Sequence, residues 1–269
     1  MHYEEKKKHI NIESSPLVSI ITPLYNAEKF VSETILSIQN QTYSHWELLI
    51  VDDASNDASV AIAKDFLEKD DRINLVQLEE NKGAAYCRNH ATELAKGSFI
   101  AFLDADDLWH PEKLEKQLHF MQTTNSDVSL TNYLLINEEG KSLQKRVKAL
   151  PSLSYKKQHS NNYVGNLTGI YNASALGKIL APNIRKRQDW AVWLEAIKRS
   201  GKPAKGLQED LAFYRVHANS MSANKSRLIK YNYRFYRDYL GYSGIVSSIY
   251  LLRFFWEYFF IRPKQIESL

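Results

Sequence analysis

An α/β fold with an open, mainly parallel sheet flanked by helices is predicted by three observations. Nearly all-apolar runs recur at 17–22, 46–51, 73–77 and 99–103, as in strands covered on both faces. Helix-like stretches separate them, the pattern of βαβ units with right-handed crossovers. Polar residues gather where three of these runs end: Pro23, Tyr25 and Asn26, then Asp52 and Asp53, then Asp104 and Asp106. Open α/β sheets bind ligands at the carboxyl ends of their strands.

The elements follow in order. Pro23-Leu24-Tyr25-Asn26 breaks the first strand, and a helix is predicted over 28–39 with Phe30, Ile35 and Ile38 on its apolar side. The second strand ends at Asp52-Asp53, followed by a turn and a helix over 60–68. After the third strand, Asn81-Lys82-Gly83 forms a turn, where Gly83 permits a positive φ or a close backbone approach, and a helix runs over 84–95. Beyond the fourth strand, a helix is predicted from Pro111 to about 123 and a strand over 126–136. Residues 141–165 are polar and weakly patterned, an acceptor-side loop. A β-prone stretch spans 166–172, a helix 190–199 and a late strand 213–217.

Hydrophobic residues make up 44% of the 269 and charged residues 25%, the proportions of an ordinary globular chain. The net charge of +4 is mild. The last third is rich in Lys and Arg, but charge alone does not argue for nucleic acid, and no nucleic-acid partner is expected. The single cysteine, Cys87, forms no internal disulfide and fits a reducing cytosol. Residues 1–16 are expected to be a flexible tail without the apolar core of a signal peptide.

Asp104-Ala105-Asp106-Asp107 follows the fourth strand directly. Unpaired buried charges are costly, so these acids should lie at the open end of the strand with a cation nearby. Hard oxygen ligands on a tight turn suit Mn²⁺ or Mg²⁺, with phosphate oxygens completing the shell. The competing reading is a solvated acidic turn. In either, Asp107 is expected to cap the helix that starts near Pro111. Polar residues at three strand ends favour the metal–diphosphate reading. Neither a G-x-G-x-x-G fingerprint nor a P-loop is present.

Val18-Ser19-Ile20-Ile21-Thr22-Pro23-Leu24-Tyr25-Asn26, Val51-Asp52-Asp53-Ala54-Ser55-Asn56-Asp57, Asn81-Lys82-Gly83 with Arg88-Asn89, and Asp104-Ala105-Asp106-Asp107 resemble the successive motifs of family 2 glycosyltransferases of the GT-A fold. Gln188-Asp189-Trp190 resembles the later acid–Trp motif, and 211–217 with Ser220 and Ser222 the closing motif. The likeness covers about 17–224 and is strongest to bacterial teichuronic-acid, capsule and O-antigen transferases. It implies a catalytic domain over 17–224, with a nucleotide-sugar half (17–110) and an acceptor half (111–224).

The resemblance implies transfer of a hexose from a UDP-sugar, UDP-galactose or UDP-glucose, to a hydroxyl of a lipid-linked (undecaprenyl diphosphate) saccharide. Pro23, Tyr25, Asn26, Asp53, Gly83, Arg88 and Asp104 are the expected nucleotide-sugar residues. Tyr25 would stack on uracil, and Asp53 would accept its ring N–H; a packed turn aromatic and a helix cap are the alternatives. Asp52 is read as structural. Arg88 could reach a phosphate or pair with Asp53 or Asp104. Asp106 is the expected metal ligand, with His217 an added ligand or a packing residue, and Asp104 on the ribose or water-mediated side. Asp189 is the expected general base, with an N-cap role as the alternative. One base and a metal-bound leaving group give a single inverting displacement. Trp193 is read as core, and Trp190 as core or acceptor platform. The rivals are a catalytically degenerate nucleotide-sugar scaffold and a sugar-nucleotide pyrophosphorylase.

Residues 225–269 form a basic, aromatic extension. Lys225, Arg227, Lys230, Arg234 and Arg237 interleave with Tyr231, Tyr233, Phe235 and Tyr236. Helical spacing over 245–261 places Ile245, Ile249, Leu252, Trp256 and Phe259 on one face, and Arg253 and Glu257 as an i,i+4 pair on another. Two charges in mid-span argue against a spanning helix. An interfacial helix on anionic lipid fits, which would hold the protein peripherally on the cytoplasmic face of the inner membrane through 225–261. Packing on the domain or in a homodimer interface is the alternative.

Overall fold

In the computed structural model, which describes residues 15–184, 186–217 and 225–269 (side chains of 225–228 excepted), the apolar runs become parallel strands. The order is β1 (Val18–Leu24), α1 (Val31–Gln39), β2 (Trp46–Asp52), α2 (Ser59–Leu67), β3 (Ile73–Gln77), α3 (Ala84–Leu94) and β4 (Phe99–Phe102). The chain continues with β5 (Leu108–Trp109), α4 (Lys113–Thr123), β6 (Val128–Ile136), β7 (Ser142–Val147), β8 (Ser152–Leu153), α5 (Tyr155–Ser160), β9 (Ile170–Asn172) and α6 (Ala173–Leu176). It ends with α7 (Gln188–Ser200), β10 (Ala204–Arg215), α8 (Lys225–Arg234), α9 (Gly244–Trp256) and β11 (Ile266–Ser268). Most of the N-terminal tail, together with Ser220 and Ser222, lies outside the described residues.

β3, β2, β1 and β4 are neighbours in one parallel array. β9 then runs antiparallel between β4 and β6. β6 pairs in parallel with the long β10 and antiparallel with β7, so the sheet is mixed beyond β4. Two apolar cores cover its faces, one around Ile21, Val51, Phe102 and Trp193, the other around Ile20, Ile35, Ile50 and Leu114. This is the GT-A architecture.

Several local expectations are corrected. α1 begins three residues later than its pattern, because Glu28 is tied to the turn before α2: its carboxylate accepts from Ala58 N–H at 2.9 Å. The stretch 141–165 is not a loop but β7, β8 and α5. β7 is mostly exposed, so it shows no buried-face alternation. It is held by pairing with β6 and β11 and by Arg146, which forks onto Asp210. The late strand is 12 residues long and starts at Ala204. Register shifts near Asp210 interrupt its pattern. Trp193 is core, as expected, and Gly169 is needed beneath it: a Cβ there would lie 2.2 Å from the indole.

The extension packs on α7. Trp190 is fully buried and stacks on Phe235 at 4.1 Å, with Phe254 at 5.8 Å, so it is core and not an acceptor platform. Its indole N–H donates to Gln158 O at 2.7 Å. The expected Arg253–Glu257 pair is replaced. Glu257 turns inward, where Lys157 Nζ reaches it at 2.7 Å and the Tyr163 hydroxyl donates to it. The opposite face stays bare, with Ile245 78% and Leu252 69% exposed and Ile249, Trp256 and Phe259 also open.

His159 sits under the extension among Tyr155, Tyr236, Tyr242 and Tyr250. Burial, reinforced by Arg253, pushes its imidazole down to about 4. A base depressed in the folded state contributes stability that is complete above its unfolded value near 6.5 and is lost as pH falls toward about 4. Between pH 7.5 and 5 this amounts to about 2 kcal/mol. Urea midpoints of the wild type are expected to fall over that window more than those of His159→Gln; parallel curves would refute the assignment.

Candidate functional site

The turns after β1, β2 and β4 converge on one edge of the sheet. Asp53 N–H donates to Leu24 O at 2.8 Å, joining the first two. Asn26 adopts φ 47°, its N–H donates to Ser55 Oγ at 3.0 Å, and its side-chain oxygen accepts from Asn56 N–H at 3.0 Å. The Tyr25 ring beside it is 51% exposed, which leaves a face open for a base. Pro23 lies opposite Val51 in the β1–β2 register. Asp52 accepts from Ser55 N–H at 3.1 Å and closes its own turn.

Asp53 is buried and does not cap α2. It accepts from Lys82 N–H at 2.6 Å and Gly83 N–H at 2.9 Å, bracing the turn before α3. Gly83 adopts φ 89° with open space where a Cβ would stand, so its role is conformational. Cys87 packs near Asp53. Burial, with that carboxylate beside it, pushes the thiol up to about 12, so it remains neutral.

The acid turn divides by partner. Arg88, from α3, donates to Asp104 at 2.6 Å. Burial opposes the guanidinium's charge, but the Asp104 and Asp189 carboxylates outweigh it and raise its pKa. Asp106 lies 2.8 Å from His217 Nε2. Burial and Asp104 raise the Asp106 carboxyl, and His217 opposes them.

Asp107 does not cap α4: Glu112 holds that position without a side-chain bond. Asp107 is instead buried and accepts from Arg215 N–H at 2.9 Å. Its residue is drawn inward because Thr34 Oγ1 also donates to Asp107 O at 3.0 Å.

Arg215 joins these parts. Its side chain is 1% exposed, donating to Asp106 O at 2.8 Å, Glu138 O at 2.7 Å and Glu33 at 2.6 Å. It ties the acid turn, α1 and the end of β10 together, and thereby sets His217 opposite Asp106. The only sequence signal for this role is its place two residues before that histidine.

Asp189 lies in the first turn of α7, one residue inside the helix, and is not the N-cap. Asn162 donates to it at 2.8 Å. It shares a small cleft with Arg88, Asn166 and Gln188. Arg88 therefore stands between the acid turn and Asp189. Arg88 Nε and Asn166 Nδ2 are buried there without a hydrogen-bond partner, as expected where a polar ligand enters. Arg187, just before α7, is held at φ 70°, and such backbone strain gathers at functional sites.

A divalent cation fits the donor set. Asp106 and His217 supply oxygen and imidazole nitrogen at hydrogen-bond separation, and burial raises the Asp106 and Asp107 carboxyls, a cost that a bound cation would offset. Among the described residues no three such side chains form a closed cage. Mn²⁺ and Mg²⁺ in phosphate sites take one or two protein ligands and draw the remainder from phosphate and water.

The profile of the family described as Glycosyl transferase family 2 matches residues 19–179. The putative teichuronic acid biosynthesis glycosyltransferase TuaG of Bacillus subtilis (strain 168) is 44% identical over 223 residues, 83% of this chain and 88% of the relative. The UDP-Glc:alpha-D-GlcNAc-diphosphoundecaprenol beta-1,3-glucosyltransferase WfgD of Escherichia coli is 36% identical over 238 residues, 88% of this chain and 92% of WfgD. Among solved structures, S. aureus TarS 1–349 in complex with UDP-GlcNAc superposes with a TM-score of 0.71 at 21% identity, covering 92% of this chain and 74% of that one. The mannosyltransferase PcManGT of Pyrobaculum calidifontis, in complex with GDP-Man and Mn²⁺, gives 0.63 at 18%, covering 88% and 70%.

Proposed function

This chain belongs to glycosyl transferase family 2, and we propose that it transfers a hexose from UDP-glucose or UDP-galactose to a hydroxyl of a diphosphoundecaprenol-linked saccharide, with inversion. The observation that carries this reading is Arg88, bonded to Asp104 and lining one small cleft with Asp189, so that a single guanidinium links a donor-side acid to the candidate base. The identity to WfgD supports the acceptor class and the choice of glucose.

Tyr25 stacks on the uracil, and the turn braced by Asp53 closes around it. Asp104 meets the ribose side, and Arg88 holds charge beside the diphosphate. Asp106 and His217 would hold Mn²⁺ or Mg²⁺, which when bound would supply a Lewis acid to offset charge on the leaving diphosphate. Asp189, oriented by Asn162, takes the proton of the acceptor hydroxyl as its oxygen attacks the anomeric carbon. The bond from that carbon to the diphosphate breaks on the opposite face, and UDP departs. No second carboxylate nucleophile is required.

The bare face of α9, with Trp256 and Phe259 at its end, is apolar, and an 18-residue window within 244–265 has mean hydropathy 1.3 with only 17% of it buried. It supports docking on anionic lipid at the cytoplasmic membrane surface. Truncating the extension would also expose Trp190, so Leu252→Asp and Trp256→Asp are the cleaner variants.

UDP release from a panel of nucleotide sugars, with and without Mn²⁺, tests the reading. Release is expected with a UDP-hexose and a lipid-linked GlcNAc acceptor, dependent on added metal, with inverted anomeric configuration by NMR. Asp106→Asn is expected to reduce it about 10²-fold or more. Formation of UTP and sugar 1-phosphate from a UDP-sugar on addition of pyrophosphate would favour a pyrophosphorylase, and no turnover with any donor a binding scaffold. Leu252→Asp should abolish co-sedimentation with anionic vesicles; unchanged sedimentation would remove the membrane assignment.

A further inference from the structure

A cavity of about 350 Å³ lies between the acceptor half and the C-terminal extension, lined by Tyr133, Val147, Tyr258, Phe259, Arg262 and Ile266 among others. Among the described residues, none that lines it is acidic. Its single cation, Arg262, donates to Gln265 at 2.9 Å and lies 5.0 Å from the Tyr163 ring, both neutral partners. Glu257 nearby in the chain is already held by Lys157 and Tyr163. Tyr133 links the cavity to the end of β10. The Tyr133 ring is 6.1 Å from that of Tyr214, and the next residue, Arg215, donates its backbone N–H to Asp107 of the acid turn at 2.9 Å. The cavity opens outward at Phe259 and Ile266, each half exposed or more, and Phe259 belongs to the bare apolar stripe.

The geometry points to this cavity as the seat of the acceptor's polyprenyl diphosphate, with the phosphates at Arg262 and the first isoprene units along Val147, Tyr258, Phe259 and Ile266. This rests on the acceptor class proposed above and assigns it a location. An anion binder next to an apolar wall recognises an amphiphile with its charge at one end. The cavity's continuity with the stripe lets the rest of the chain leave toward lipid without crossing water. The same placement leaves the attached sugar on the Tyr133–Tyr214 side, toward the acid turn. A guanidinium fork suits a diphosphate better than a point charge does.

Farnesyl diphosphate is the probe, followed by isothermal calorimetry on the full chain, with farnesol and inorganic pyrophosphate as comparators. The wild type is expected to bind farnesyl diphosphate even when saturated with UDP. Val147→Trp, which fills the cavity, and Phe259→Asp, on an exposed position that does not threaten folding, should each weaken binding at least tenfold and leave UDP affinity unchanged. Arg262→Gln should weaken farnesyl diphosphate at least tenfold and farnesol less than twofold. Wild-type affinity in both Val147→Trp and Phe259→Asp, or complete displacement by UDP, would overturn the assignment. If farnesyl diphosphate maps to the cavity but no lipid-linked acceptor supports UDP release, the cavity assignment stands and the proposed reaction fails.

Discussion

Asp189→Asn is expected to lower kcat for sugar transfer by roughly 10²- to 10⁴-fold, with UDP-sugar affinity changed by no more than about twofold. The amide is nearly isosteric, so the first turn of α7 should stay intact; what is lost is a proton acceptor for the attacking hydroxyl. Asn162 donates to the carboxylate at 2.8 Å and can only orient it. Asn162→Ala should therefore cost less and alter the pH profile of kcat without abolishing turnover. Arg88 complicates any interpretation based on charge alone, because it is bonded to Asp104 and lines the same cleft as Asp189. Single-turnover kinetics with prebound donor separate the two roles. A base is needed only in the chemical step, whereas a merely electrostatic partner of Arg88 would move donor affinity. Near-wild-type turnover in Asp189→Asn would transfer the base role elsewhere.

The nucleotide half was legible from sequence because its strands are buried on both faces and their apolar runs stand out. Strand-end polar residues follow from topology, so Tyr25, Asn26, Asp53 and Asp104 come to one edge as expected. The acceptor half was obscured by features without a short-range signal. β7 is exposed and depends on β6 and β11 for its existence. β10 changes register near Asp210, which breaks its alternation. Asp107 resembled a helix cap because an acid before Pro111 usually is one; its true partner, Arg215, lies over a hundred residues away. A buried arginine cannot be told from a surface one by its neighbours in sequence. Trp190 was undecided for the same reason, since the residues that cover it come from the extension.

Arg215→Met is expected to destabilise the protein by about 3 kcal/mol, because it leaves buried carbonyls without donors and removes a cation from an acid-rich turn. The methionine fills most of the volume but cannot donate to Asp106 O or Glu138 O, or pair with Glu33. Arg215→Lys keeps the charge, yet a single ammonium cannot span three acceptors in different directions, so an intermediate loss is expected. The effect on activity should exceed that on stability. Arg215 fixes the end of β10, and two residues later His217 faces Asp106 at 2.8 Å. Freed from that tie, the two proposed ligands no longer share a position. The KM for Mn²⁺ should then rise for both variants, even at temperatures where each is fully folded. Thermal melts give the first quantity, and metal titration of UDP release gives the second. A folded Arg215→Met protein with wild-type Mn²⁺ dependence would show that His217 and Asp106 are positioned by other contacts, and that the arginine serves the fold alone.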